Sequence, residues 1–595
     1  MILLASRQAN RLTMVIVVIA ALLLGALAFD PALNMGGDNA EYLGLARALS
    51  TGQGFTVLSA PVPHPETQRT PGYPLFLALF MLMFGEQLWS LKLTSLVFLA
   101  VSALLAYRFL RCQRASTLLL SAFGVWLFVW NLDILAMGSI TSPEMLYTSL
   151  TIVALLAAIR YVGKDETVRP DFLRNRPHMW GWLIVMVLAA VAAIYVRPNG
   201  ITLVPALGMY LLLRREWRAL VVGLLAGALL LAPLVAMQRQ AATRGPTYLS
   251  YINTSEQGDT SRELHGAGDL VRRIARTASA QTLNLGQLLV VRPGYFSLRP
   301  RPVTTDPKPG ATQPTTSEDD SPLRDLRHAS RYVVGLIALL GFAITWRGRG
   351  SAMHWYALMN IILLLMTPFP RGRYLLPLLP LWGWFFAMAI MWGTSLTLKR
   401  RTPGRALLVI IGLIAVCMTT VGLAQRVVLN WENRGLSWHA PQRYALDGTD
   451  FVNYAAAMEW IRLHTPDNAV VAARKPYNVY WVTGRHSTWE PLLIEQPDKV
   501  WQSLVAQAQR TPLYVIQDGF LNRYHGDITN RHLIPTLAAH RAVLRQETAW
   551  QTPTTIVWTL TPHAIAEAPS DLPYIPDAGQ RGLAFPAQNQ PTNQR

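Results

Sequence analysis

Apolar residues along the chain are gathered into long unbroken blocks, neither alternating nor confined to one face of a short helix. Thr13 to Phe29, Ala115 to Leu132, Ala219 to Gln238, Met353 to Phe369 and Ala406 to Gln425 carry no formal charge. Runs of that length can cross a hydrocarbon core about 30 Å thick, which a core helix of a soluble domain has no need to do. Taken in order, the blocks predict eleven transmembrane helices, at roughly 12–29, 89–107, 115–133, 145–160, 180–196, 201–213, 219–237, 331–346, 353–369, 374–396 and 406–425. Pro71 to Phe84 is also apolar, but about 14 residues are short for a crossing and read as a re-entrant or interfacial segment. Counting it as a span would also invert the charge pattern described next.

Basic residues crowd into alternate connections. Arg7 and Arg11, Arg108 to Arg114, Arg160 to Arg176, Arg214 to Arg218, Arg347 and Arg349, and Lys399 to Arg405 hold 19 cations against four acids. That is the bias of cytoplasmic loops, so the N-terminus is expected in the cytoplasm, and an odd number of spans puts the C-terminus outside a cell (inner) membrane. The net charge of +19 is thereby largely a matter of topology, and no nucleic acid is expected as a partner. Ala26-Leu27-Ala28 resembles a signal-peptidase site, but the first span is read as retained.

The segments expected outside are 30–88 with the short apolar piece, 134–144, a long loop at 239–330, and everything after 426. Arg299 to Ser321, rich in Pro, Thr and Asp, reads as mobile. Residues 1–425 thus form a membrane module, and the character changes at 426–565. There a helix-like Tyr454 to His464, an apolar Ala469 to Ala473, a helix from Pro476, and strand-like Leu513 to Gln517 and Thr555 to Leu560 predict a small α/β domain. Residues 566–595, rich in Pro, Ala, Gln and Asn, read as disordered.

Composition fits a polytopic membrane protein, with 51% hydrophobic and 15% charged residues. The two cysteines, Cys112 and Cys417, suggest neither a disulfide framework nor a thiolate metal site. No P-loop, dinucleotide fingerprint or G-x-S-x-G is present, so nucleotide-driven transport and serine hydrolysis find no support.

Candidate chemistry gathers at the outer ends of the spans. Asp38 opens a short amphipathic helix on which Tyr42, Leu45, Ala46 and Leu49 share a face. It reads equally as a helix cap or as a carboxylate held at the membrane surface, with Glu41 as capping partner or second acid. Glu144 follows Pro143 at a span end, where a first-turn acid also stabilises a helix. Arg197 lies in Arg197-Pro198-Asn199-Gly200, and Arg371 and Arg373 precede Tyr374; outer arginines run against the charge bias. They either reach for lipid headgroups or clamp a phosphate, for which the guanidinium fork is suited. Tyr42, Tyr73 and His64 are candidates to touch substrate, although lone loop histidines such as His64 and His265 are mostly solvated. Arg272, Arg273 and Arg276 lie in the long loop, which either closes over a bound lipid or is only a crossover.

The ordered set Gly37-Asp38-x-x-Glu41-Tyr42, Gly52-x-Gly54-Phe55, Thr70-Pro71-Gly72-Tyr73-Pro74, Ser142-Pro143-Glu144, Arg197-Pro198-Asn199-Gly200, Arg373-Tyr374 with Pro377, Glu459-Trp460-Ile461-Arg462, Thr465-Pro466 and Thr483-Gly484-Arg485 runs over about 450 residues. It resembles the GT-C membrane glycosyltransferases, in the bacterial branch related to protein mannosyltransferases and the lipid A aminoarabinose transferase. The resemblance implies a sugar carried on a polyprenyl phosphate, membrane lipids around the site, and a glycan, lipid or protein acceptor hydroxyl on the outer face. Asp38 would be the general base of an inverting transfer, Glu144 would position a substrate, and Arg197, Arg371, Arg373 and Tyr374 would hold the phosphate. Many relatives carry a second acid beside the first, where this chain has Asn39; no cofactor is therefore assigned, and a divalent metal is not supported. Two other classes fit an outer cluster of arginines and acids: an O-antigen ligase or polymerase, whose chemistry would centre on the long loop, and a secondary transporter. The latter should show duplicated halves and a mid-membrane site, and neither is seen.

Overall fold

The computed structural model describes residues 2–31, 33–34, 38–113, 116–163, 177–242, 254–256, 259–263, 267–290, 322–346, 348, 350–367, 372–397, 402–434, 444–445, 449–488, 497–518, 528–541, 543–550 and 555–560. They divide into two compact units. The described residues of the second are 57–64 and those from 449 onward; all others form the first.

The first unit is a bundle of α1 (Ile2–Ala28), α2 (Asn39–Ser50), α3 (Gly72–Phe84), α4 (Leu88–Arg111), α5 (Leu118–Val129), α6 (Leu132–Gly138), α7 (Glu144–Val162), α8 (Pro177–Val196), α9 (Leu203–Leu213), α10 (Trp217–Ala242), α11 (Ala267–Leu289), α12 (Pro322–Thr345), α13 (Ala352–Met366), α14 (Leu379–Thr397) and α15 (Thr402–Arg434). Among the described residues eight helices are long and apolar enough to cross a membrane: α1, α4, α7, α8, α10, α12, α14 with its lead-in from Gly372, and α15. The other three predicted spans are a bent pair, α5 and α6, and two shorter apolar helices, Pro198–Leu213 and α13. Buried hydroxyls tie the packed helices together. Ser102 bonds Ser149 at 2.8 Å, Tyr147 meets Tyr356 at 3.1 Å, and Asn360 donates to Thr202 at 3.0 Å.

Two expectations need correction. The apolar run 115–133 is not one helix, because it turns by 64° between α5 and α6. Asn131 makes the break: its side-chain oxygen accepts from the N–H groups of Asp133 and Ile134 at 3.0 and 3.2 Å, and its amide donates to the Leu288 carbonyl at 2.9 Å. The expected loop at 134–144 is consequently helical as far as Gly138, and all of α6 is buried. The long loop also holds regular structure, since α10 runs on to Ala242 and α11 crosses its middle. Gly286 of α11 lies against the Arg331 backbone of α12, and Gly335 of α12 against Thr282, approaches that leave no space for a Cβ atom. Arg273 points inward, whereas Arg272 and Arg276 are exposed. Arg299 to Ser321 lies outside the described residues.

The second unit holds α16 (Thr449–His464), α17 (Pro476–Thr483), α18 (Pro497–Ala508), α19 (Ile528–Ala539) and a five-stranded sheet. Its strands are β1 (Val470–Ala472), β2 (His486–Thr488), β3 (Leu513–Gln517), β4 (Arg545–Trp550) and β5 (Thr555–Leu560), in the order β4-β5-β3-β1-β2. Strands β3, β1 and β2 run parallel, and β5 is antiparallel to both β3 and β4. Val470, Leu504, Leu513, Val515, Leu537 and Trp558 form its core. The edge strand β2 is covered by the 57–64 segment. The Ser59 carbonyl accepts from the Ser487 N–H at 2.6 Å, and the Leu58 carbonyl accepts from Nδ1 of His486 at 3.2 Å. The predicted strands at 469–473, 513–517 and 555–560 match β1, β3 and β5, while β2 and β4 are additions. Residues 566–595 lie outside the described residues.

Candidate active site

One end of the first unit collects the N-terminus of α2, the turn before α3, the N-terminus of α7, the turn after α8 and the turn before α14. Each brings a charged side chain. Asp38 is the residue before α2, yet its carboxylate makes no capping hydrogen bond; only its carbonyl serves the helix, accepting from Tyr42 N–H at 3.2 Å. The side chain turns away instead. Oδ1 lies 3.1 Å from Nη2 of Arg69, and Oδ2 accepts from Nη1 and Nη2 of Arg373, both at 3.4 Å. The simple cap is therefore not what this carboxylate does.

Arg69 went unrecognised in the sequence. It is placed by Glu66, whose carboxylate accepts from the Gln68 and Arg69 N–H groups at 2.6 and 3.0 Å. The following residues pin the turn: the Thr70 hydroxyl donates to the Val196 carbonyl at 3.1 Å, and a Cβ on Gly72 would stand 2.5 to 2.8 Å from the Tyr195–Val196 backbone. Only glycine permits that approach. Arg69 forks onto Glu41, with Nε and Nη2 donating to the two carboxylate oxygens at 2.9 and 2.8 Å. Glu41 is 6% exposed, and burial pushes its carboxyl up to about 7 even though the Arg69 fork pulls the other way. Arg69 answers two carboxylates, and although burial would lower it, Asp38 and Glu41 hold it well above its ordinary value.

Glu144 and Arg197 form the second pair, 2.5 Å apart, with side chains 4% and 11% exposed. The Arg197 turn is tight for the same steric reason as the first, since a Cβ on Gly200 would meet the Ala193 backbone at 2.7 Å. Tyr374 joins the two pairs. The Arg197 guanidinium lies 5.8 Å from its ring centre and that of Arg373 lies 5.5 Å from it. A continuous chain runs Glu144, Arg197, Tyr374, Arg373, Asp38, Arg69, Glu41.

Asp38, Glu41, Glu144, Arg197, Arg373 and Tyr374 are thus brought together from positions as far apart as 38 and 374. Tyr42 lies beneath Arg69, 5.9 Å from its guanidinium, and packs edge-to-face on Tyr73, which is 1% exposed. His64 is not brought in; it is exposed on a two-residue strand in the other unit. Arg371 lies outside the described residues. Among the described residues no three of His, Cys, Asp and Glu are grouped to hold a metal ion.

No protein-family model matches the chain, and no curated protein sequence does either. Solved structures do. ArnT from Cupriavidus metallidurans bound to undecaprenyl phosphate is similar over 92% of this chain and 97% of its own, at 12% identity and a TM-score of 0.52. An Archaeoglobus fulgidus oligosaccharyltransferase tethered to an acceptor peptide is similar over 92% of this chain and 74% of its own, at 12% identity and a TM-score of 0.54. The archaeal oligosaccharyltransferase AglB, in complex with an inhibitory peptide and a dolichol-phosphate, covers 94% of this chain and 75% of its own at 12% identity and a TM-score of 0.53. The chain therefore has the GT-C fold that its motifs resemble.

Proposed function

We propose that this protein is a membrane glycosyltransferase that moves a sugar from a polyprenyl-phosphate carrier to an acceptor hydroxyl of a glycan, lipid or protein. The reading rests chiefly on Asp38, a partly exposed carboxylate whose side chain makes no cap and is held instead by Arg69 and Arg373, with Arg197 joined to them through Tyr374. Structures of the same fold solved with undecaprenyl phosphate and dolichol-phosphate lend it support. In the reaction, Asp38 takes the proton of the acceptor hydroxyl as that oxygen attacks the anomeric carbon from the face opposite the phosphate. The new C–O bond forms with inversion while the bond to phosphate breaks. Its electron pair leaves on the lipid phosphate, where charge grows and where Arg373 and Arg197 donate charge-assisted hydrogen bonds. Asp38 afterwards releases its proton to water.

The other residues act through these. Glu41 orients Arg69, and Arg69 orients Asp38. Glu144 keeps Arg197 in place. The 19 cations against four acids in alternate loops support a reading in which this end of the bundle faces outward from an inner membrane, with the N-terminus cytoplasmic and the tail unit extracytoplasmic.

Asp38→Asn tests the base. No cap is lost because none is made, and Arg69 keeps Glu41, but Arg373 loses its carboxylate, so monodisperse folded protein is confirmed by size exclusion before rates are compared; loss of a general base costs about 10² to 10⁴ in rate. Transfer by purified protein against a panel of polyprenyl phosphate sugars is the measurement. A variant as fast as wild type would remove Asp38 from the chemistry.

A further inference from the structure

The three arginines are not equally committed. Arg69 is forked onto Glu41 at 2.9 and 2.8 Å while it holds Oδ1 of Asp38. Arg197 is bound to Glu144 at 2.5 Å. Arg373 meets Oδ2 of Asp38 through two N–H groups, both at 3.4 Å, beyond the usual 2.7–2.9 Å of a charge-assisted bond. Its buried Nε–H has no hydrogen-bond partner. Tyr374 also touches Arg373, but of the three arginines it is the one whose carboxylate contacts are longest, and so the one most readily turned to an arriving anion.

We infer that Arg373 serves two anions in turn. At rest it covers Oδ2 of Asp38; when the lipid phosphate arrives it moves to that phosphate and uncovers Oδ2 for the acceptor hydroxyl. Arg69 stays on Oδ1, anchored by Glu41, so the carboxylate keeps its place as one oxygen is released. Donor then precedes acceptor, and the base is exposed only once the carrier's phosphate is in place. The inference rests on the reading that the site takes a polyprenyl phosphate, and it adds the order of events and the residue that enforces it.

Because a carboxylate and a phosphate compete for one cation, removing the carboxylate should strengthen phosphate binding. Undecaprenyl phosphate binding to the full chain in nanodiscs is measured for wild type, Asp38→Asn, Arg373→Gln and the double variant. Asp38→Asn should bind about 5-fold or more tightly than wild type, at the low end of usual coupling between sites. In the Arg373→Gln background the same change should alter affinity by less than about twofold, the scatter of uncoupled positions. An equal gain in both backgrounds means that Asp38 merely repels the phosphate, which overturns the exchange, as does no gain in either. A structure of wild type with undecaprenyl phosphate reads the same point without variants: Arg373 on the phosphate and apart from Asp38 is expected, and Arg373 still on Asp38 is fatal to it. If undecaprenyl phosphate does not bind wild type at all, the polyprenyl-phosphate reading falls and the exchange with it. Binding without exchange sinks the exchange alone.

Discussion

Glu144→Gln would leave the Arg197 guanidinium buried with its charge and without the carboxylate that answers it. The two groups are 2.5 Å apart and their side chains only 4% and 11% exposed, so solvent screens little of the interaction. Burial alone would lower the pKa of Arg197, and it is Glu144 that holds it above its ordinary value. Deleting one partner of such a pair costs about 3–5 kcal/mol. The lower figure is roughly a 150-fold change in the folded-to-unfolded ratio at about 1.36 kcal/mol per tenfold. Removing both charges is a different perturbation, since Glu144→Gln with Arg197→Gln leaves no orphan ion. Its loss should fall well short of the sum of the two single losses. Tryptophan-emission melts in detergent, with size exclusion to confirm monodisperse protein, would measure the three variants beside wild type. Additive losses, or a Glu144→Gln variant that melts with wild type, would show that the pair is close without being coupled.

Two further outcomes follow from charge. A reporter fused after residue 595 should read as extracytoplasmic and one near residue 170 as cytoplasmic; the reverse would invert the side on which the site works. The Glu41 carboxyl, raised from 4.5 to about 7, binds a proton in the folded state that the unfolded chain has already lost, so stability contributed here falls as pH rises from about 4.5 to about 7 and is level on either side. Melts of wild type and Glu41→Gln between pH 5 and 8 should therefore diverge in favour of the glutamine variant as pH rises. A constant gap would mean that Glu41 does not titrate there.

Much of the site was legible because its members stand beside helix ends, where apolar blocks stop and a charge is conspicuous. Asp38, Glu144, Arg197 and Arg373 were all visible as charges at the edges of spans. Arg69 was not, for it sits in an irregular turn between a surface helix and a short apolar one, with no periodicity to single it out. The same test that flagged Arg197, an arginine against the charge bias and next to Pro and Gly, would have found it before Thr70-Pro71-Gly72. The break at Asn131 was hidden because both arms are apolar, so hydropathy runs through a 64° bend. α11 escaped because its buried face is mixed, with Arg273, Thr277 and Gln281 among its inward residues. In the tail unit, apolar β1, β3 and β5 could be read, whereas β2 and β4, His486–Thr488 and Arg545–Trp550, are polar strands that tertiary pairing alone defines.

The pairing of Leu58 with His486 joins positions 428 residues apart. At about 5–20 residues per second of synthesis, the 57–64 segment emerges roughly 20 to 90 s before the strand that covers it. Throughout that interval the stretch between α2 and Arg69 has no edge to lie on. The membrane bundle can be inserted helix by helix while this connection stays open, and it closes only after α15, the last of the bundle helices, has been made. A chain cut short before residue 486 would carry every arginine and carboxylate of the site and still lack the strand edge that holds the loop joining Asp38 to Arg69.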